Sequence, residues 1–176
     1  DAAGGTGKKG ELLNSAYYLR PGEDPDKKIR ENLFLKVQLD RNTCFTGEAV
    51  VATFKLYSRL ESKSDIVKNP GFYGFTVHDM VSLADKKVST EKINGRLFDV
   101  HTIRMVQLYP LQSGDFTIDV MEVKNRVEFS RSMINRKTEQ EIAEGMMGSG
   151  AEEPVAEGAA IFENNSSTVP LLVHVK

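Results

Sequence analysis

Three histidines and one cysteine are the side chains of this 176-residue chain most able to do chemistry near neutral pH. His78, His101 and His174 each fall inside or beside a segment of strand character, far apart along the chain. A metal centre needs ligands that converge on one point, and only His78-Asp79 sets a histidine beside a carboxylate. That pair fits a rim histidine next to an exposed aspartate. Asp115, Asp119 and Glu122 do not follow calcium-loop spacing, and the last two are expected on opposite faces of a strand. Cys44 would be reactive if exposed near Arg41, but a lone thiol between a strand and a turn is more often a small buried hydrophobe. No glycine loop opens a helix, and neither GxSxG nor HExxH occurs. No catalytic, cofactor-binding or metal-binding residue is assigned on these grounds.

Composition narrows the partners. A net charge of −2 and an aromatic content of 8% without tryptophan give no case for nucleic acid. The distribution of charge says more. Residues 32–137 hold 16 basic against 12 acidic side chains, whereas 138–162 hold acids only, among them Glu152, Glu153 and Glu157. Such a run is usually a solvated segment, and it is also a candidate partner surface. One cysteine excludes an intrachain disulfide and a multi-thiolate zinc site. No apolar run approaches the length of a membrane helix. The chain starts at Asp1, so targeting or anchoring segments are expected to lie outside it.

The elements that would position these groups read as strands. Residues 1–31 mix glycines and lysines with Pro21-Gly22 and Asp24-Pro25, and are expected to be a linker or lead-in from a preceding domain. Leu33, Leu35, Val37 and Leu39 alternate with Phe34, Lys36 and Gln38; Val50, Ala52, Phe54 and Leu56 do the same after the Gly47-Glu48 turn. Residues 59–71 are polar and read as a loop. A third strand carries Tyr73, Phe75 and Val77, and 85–92 suits an exposed edge strand or loop. Asn94-Gly95 is a hairpin signal.

The stretch 96–123 reads as two long strands meeting at a corner around Pro110 and Gly114. Phe98, Val100, Val106 and Leu108 share one phase while Ile103 and Met105 take the other, which predicts a bulge or burial on both faces. A brief strand at 126–130 follows, then an acidic insertion at about 131–168 without periodicity, in which 138–147 could form a short helix. Val169, Leu171, Val173 and Val175 form a closing strand.

These elements predict an all-β domain, an immunoglobulin-like β-sandwich of about seven to eight strands without a disulfide, over residues 32–176. Gly47-Glu48 ahead of Val50 resembles the start of strand B. Ser113-Gly114-Asp115-Phe116 resembles the corner opening strand F, with Phe116 in the usual tyrosine place. Ala52 or Phe54, and Ile118, then stand where antibody domains carry their cystines, and Phe75 substitutes for the missing tryptophan.

The run from Leu33 to Ser130 resembles the BatD family of bacterial aerotolerance (oxygen-tolerance) operons. The matching pieces are GEAVVATFKLYSRL at 47–60, Pro70-Gly71-Phe72-Tyr73-Gly74-Phe75, and INGRLFDVHTIRMVQLYPLQSGDFTID at 93–119. The run from Leu33 to Ser130 covers more than half the chain, and the order of its pieces is more specific than any one piece. The resemblance implies tandem immunoglobulin-like domains facing the periplasm on an inner-membrane anchor. It also implies a non-enzymatic role in envelope stress through contacts with von Willebrand A-domain and tetratricopeptide-repeat products of the same operon. It supplies no catalytic residues.

The leading expectation is therefore a scaffold or adaptor domain acting through protein contacts, with no cofactor. A glycan- or peptide-binding module resting on exposed Tyr57, Phe72 and Tyr73 is the alternative, and a thiol- or metal-dependent enzyme resting on Cys44 and the histidines is the third reading.

Overall fold

A computed structural model describes residues 16–80, 88–130 and 159–176. It is an all-β sandwich without a disulfide. Helix α1 (Pro25–Asn32) leads into β1 (Leu33–Leu39), β2 (Thr43–Cys44), β3 (Val50–Ser58), β4 (Glu61–Lys68) and β5 (Phe75–Asp79). Then come β6 (Val88–Ile93), β7 (Arg96–Pro110), β8 (Gly114–Ile118), β9 (Glu122–Ser130), β10 (Ala159–Ser167) and β11 (Leu171–Val175). One layer has the order β1-β3-β7-β5, with β6 also paired to β7; facing it are two three-stranded sheets, β10-β9-β4 and β2-β11-β8.

The core lies between the layers. Leu35, Val50, Ala52, Phe54, Val106 and Leu108 from the first meet Ile118, Val123, Val127, Phe129, Val173 and Val175 from the second. Burial of these apolar faces is what holds the two layers together. Ala52, Phe54 and Ile118 share this cluster from opposite layers, as the strand B and strand F assignment requires.

Eleven strands are present among the described residues, more than the seven to eight expected: Thr43–Cys44 pairs in parallel with β11, and two polar segments also pair. The stretch 59–71 is not simply a loop: β4 pairs antiparallel with β9 from Glu61 to Lys68. The expected insertion 131–168 likewise contains β10, in register with β9 from Ala159↔Ser130 to Ser167↔Glu122. Both escape a hydrophobic pattern for one reason. Their inward positions surround the fully buried Asn125 of β9, whose amide donates to Asn164 (3.1 Å) and Ser166 (2.7 Å). Its carbonyl oxygen accepts from Ser64 (2.6 Å). A buried amide must find such partners, so polar side chains occupy inner sites. The short helix expected within 138–147 lies outside the described residues.

The lead-in is also more than a linker from Ala16 onward. Asp24 caps α1 through the Asp26 and Lys27 amides (3.0 and 3.4 Å), Pro25 stands in the first turn, and Ile29 is fully buried. Asp-Pro here starts a helix, since proline has no amide to lose at that position. Tyr18 forms a parallel bridge to Ser130, and Lys28 lies over the Phe129 ring at 5.9 Å.

The hairpin signal is realised: Asn94 (φ 51°) and Gly95 (φ 78°) join β6 to β7 with Ile93 opposite Arg96. The two strands around Pro110 do not pair with each other, as β7 stays in the first layer and the short β8 crosses to the second. The β7 ladder stops at Pro110, opposite Phe75.

Candidate functional site

Three loops and the chain end meet at one end of the sandwich. The turn after β2 closes through Glu48 N–H to the Phe45 carbonyl (3.0 Å), with Gly47 at φ +81°. Gly47 N–H then donates to the Pro110 carbonyl at the β7–β8 corner (3.1 Å), and Leu111 N–H donates to Gly74 in the loop before β5 (2.9 Å). Lys176 N–H reaches the Cys44 carbonyl (2.8 Å) and its ammonium lies 6.0 Å from the Phe45 ring. Backbone bonds of this kind hold loops together that sequence separates widely.

On this tied base stand three large apolar side chains. Phe45, Tyr73 and Leu111 are 62%, 84% and 64% exposed, too much for residues that serve packing. Tyr73 is held from below. Phe72 turns inward, edge-on to Phe54 (6.5 Å between ring centres), and Arg104 covers it at 5.4 Å. The same guanidinium donates to Asp79 (3.0 Å) and Asn69 (3.1 Å), tying the start of the loop to the far end of β5. Gly74, at φ +87°, presses on the Phe116 ring so closely that a Cβ there would sit 2.5 Å from it. Phe116 in turn packs edge-on against Phe75 (5.7 Å).

Of the expected surface residues, the structure brings Phe72 and Tyr73 together here, with Tyr73 exposed and Phe72 half-buried. Tyr57 is a correction. It is 1% exposed, stacked on Phe34 (5.0 Å) and edge-on to Phe98 (6.5 Å) on the outer face of the five-stranded sheet. Burial raises its hydroxyl pKa, and a hydrogen bond with Glu91 adds to that. Reading its alternation as exposure failed because β6 and β7 extend the sheet beside it. Glu152, Glu153 and Glu157 lie outside the described residues.

The chemistry-bearing residues do not converge. His78 stands edge-on to Tyr109 (5.8 Å), His101 is exposed on β7, and His174 pairs with Asp115 across β11 and β8. Asp79 is bonded to Arg104 rather than to its neighbour His78. Asp119 accepts from Val120 N–H (2.8 Å) and pairs with Lys68 (3.5 Å). Among the described residues no three His, Cys, Asp or Glu side chains are grouped as metal ligands. Cys44 is buried, which raises its thiol pKa, and Glu48 adds to the effect. Arg41 is held by Glu48 at 2.6 Å.

Phe45 and Leu111 are not among the surface residues expected from the sequence. Each breaks the local alternation beside a glycine turn or a proline corner, and that was the available signal. The Asp115–His174 pair left none, being a product of strand register alone.

No family model matches the chain, and no curated protein matches it. Among solved structures the chain is similar to a type II cohesin domain from the cellulosome of Acetivibrio cellulolyticus. The likeness covers 81% of this chain and 95% of that one at 12% identity, with a TM-score of 0.25. At that score it carries no argument, and the sandwich assignment rests on this chain's own strands. Among the described residues no helix is long and apolar enough to cross a membrane.

Proposed function

We propose that this domain is a non-catalytic protein-interaction module, a scaffold or adaptor that meets its partner with the loop end of the sandwich. The observation that carries the reading is the exposure of Phe45, Tyr73 and Leu111 on loops fixed to one another by backbone hydrogen bonds. Apolar side chains on preordered loops lose little conformational entropy on association, and aromatic anchors of this type dominate contact energies. The resemblance to BatD adds a setting to this proposal: the periplasmic side of a membrane-anchored protein linked to oxygen tolerance or envelope stress. Its partners there would be von Willebrand A-domain and tetratricopeptide-repeat proteins. The glycan-binding alternative loses one of its three aromatics with the burial of Tyr57.

The experiment is capture from envelope extract with the wild-type domain and with the double variant Tyr73→Ser, Leu111→Ser, both first matched for thermal stability. A protein retained by the wild type and lost by the variant supports the reading. Equal retention by both, or saturable stabilisation by a sugar in place of any protein, overturns it.

A further inference from the structure

Among the described residues, no strand pairs with the outer side of the first strand of the larger sheet. Asn32 accepts from Arg59 N–H (2.8 Å), and Asp40 N–H donates to Val51 (3.1 Å). These two bonds bracket β1 and share one parity, so the even-numbered residues between them bond to β3. The N–H and C=O groups of Leu35, Val37 and Leu39 therefore point away from β3, and β1 is the last strand on that side among the described residues. Leu35 itself is buried and β10 packs close to β1, so the accessible part of this edge is Val37 to Leu39. The N–H of Leu33, of the same parity, is already taken by the end of α1.

Two further features lie along this edge. Val37 and Leu39 face inward yet are only half-buried, while their partners Phe54 and Ala52 are fully buried, so the layer is open at its rim. A shallow groove continues from there, lined by Leu39, Leu171 and the well-exposed Leu172, with Asp40, Arg41 and Asn42 around it. On the outer face, Lys36 stands directly opposite Lys55, and neither has an acidic partner among the described residues. Like charges facing each other across a ladder are unfavourable, and an anion beside them relieves the repulsion. The Lys36 ammonium lies over the Phe34 and Tyr57 rings at 5.2 and 5.3 Å. Tyr57 is too buried to stack on a sugar or a base, and the half-buried Phe34 is stacked on Tyr57.

We propose that the free edge of β1 around Val37 and Leu39 takes up an extended acidic segment of a partner protein as an added strand. An acidic side chain of that segment meets Lys36 on the outer face, and an apolar one enters the Leu39–Leu171–Leu172 groove. Because side chains alternate along a strand, positions opposite Lys36 and Leu39 fall on opposite faces, so the segment carries its acid and its apolar anchor three residues apart. The lysine also disfavours edge-to-edge pairing with a second copy, which would bring another Lys36 into the contact. This inference rests on the protein-contact reading but uses a different surface.

The test is fluorescence anisotropy with a labelled eight-residue peptide of alternating threonine and valine that carries glutamate and leucine three residues apart. Saturable binding is expected, weakened at least about tenfold by backbone N-methylation of the peptide. Lys36→Glu is expected to lower affinity about fivefold and shift preference to the peptide with lysine for glutamate. Val37→Pro removes an amide that faces the free edge and not β3, so it abolishes binding with little loss of stability. Should that variant misfold, the N-methylated peptide gives the same reading on the intact protein. No saturable binding, undiminished binding of the N-methylated peptide, or an unchanged charge preference in Lys36→Glu overturns the proposal. So does a dimer that Val37→Pro dissolves, which would make a second copy the occupant. Tyr73→Ser is expected to leave peptide binding intact, so failure at the loop end and failure at this edge are separable.

Discussion

Val100 and Val106 have the same parity in one continuous strand, yet they face opposite sides of the sheet. Phe54 pairs with Arg104 and Lys55 pairs with Thr102, which leaves Ile103 without a partner. That bulge reverses the phase of β7. Val106 and Leu108 enter the main core, while Val100 and Phe98 join Tyr57 in a second cluster on the outer face. Deleting Ile103 would force one of these sets to the wrong face. The deletion is expected to abolish cooperative thermal unfolding followed by circular dichroism, whereas Ile103→Ala costs only about 1–2 kcal/mol.

Gly74 is constrained twice, by a positive φ and by the Phe116 ring. Gly74→Ala is expected to destabilise the domain by about 2–4 kcal/mol in urea denaturation. Phe116→Leu in the same chain should recover part of that loss, since it relieves the contact but not the backbone strain. Equal costs with and without the Phe116 change would show that contact with the ring is not the cause.

Helix α1 contributes to the fold through Ile29. Ile29→Ala is expected to cost about 2–5 kcal/mol and Asp24→Ala about 1 kcal/mol, read from urea midpoints. A segment serving only as a linker would leave both midpoints unchanged.

Glu23 is held below the usual carboxylate range, first by the Arg20 amide and then by Lys28. Asp119 is lowered too, first by the Val120 amide and then by Lys68. A carboxyl whose folded pKa is depressed adds stability above its unfolded pKa and loses that contribution as pH falls through the folded value. Both contributions are therefore present at neutral pH and disappear below about pH 4. The double variant Glu23→Gln, Asp119→Asn should show a shallower fall in thermal midpoint across that acid range than the wild type.

Much of the sandwich was legible because its main strands alternate apolar and polar residues: β1, β3 and β11 are placed to within a few residues by that period alone. The bulge in β7 was legible as a conflict of phase. Strands β4 and β10 were not, because their inward sites hold Ser64, Asn164 and Ser166 to satisfy Asn125, and a polar inner face has no hydrophobic period. The contact surface was half legible. Tyr73 lies next to a Pro-Gly turn, where exposure is the rule, but Tyr57 follows the same alternation as its neighbours and is covered by strands distant in sequence. The loops of Phe45 and Leu111 join that of Tyr73 only through the bonds that tie Gly47 to Pro110 and Leu111 to Gly74.

Whether the loop end meets a protein partner is read out by site-specific photo-crosslinking. A benzophenone side chain placed at Tyr73 is compared with one at Lys63 on β4, away from the tied loops, in cells expressing each protein. One discrete crosslinked species is expected from position 73, lost on Leu111→Ser, and none in common with position 63. The same species from both positions, or no adduct from position 73, would contradict it.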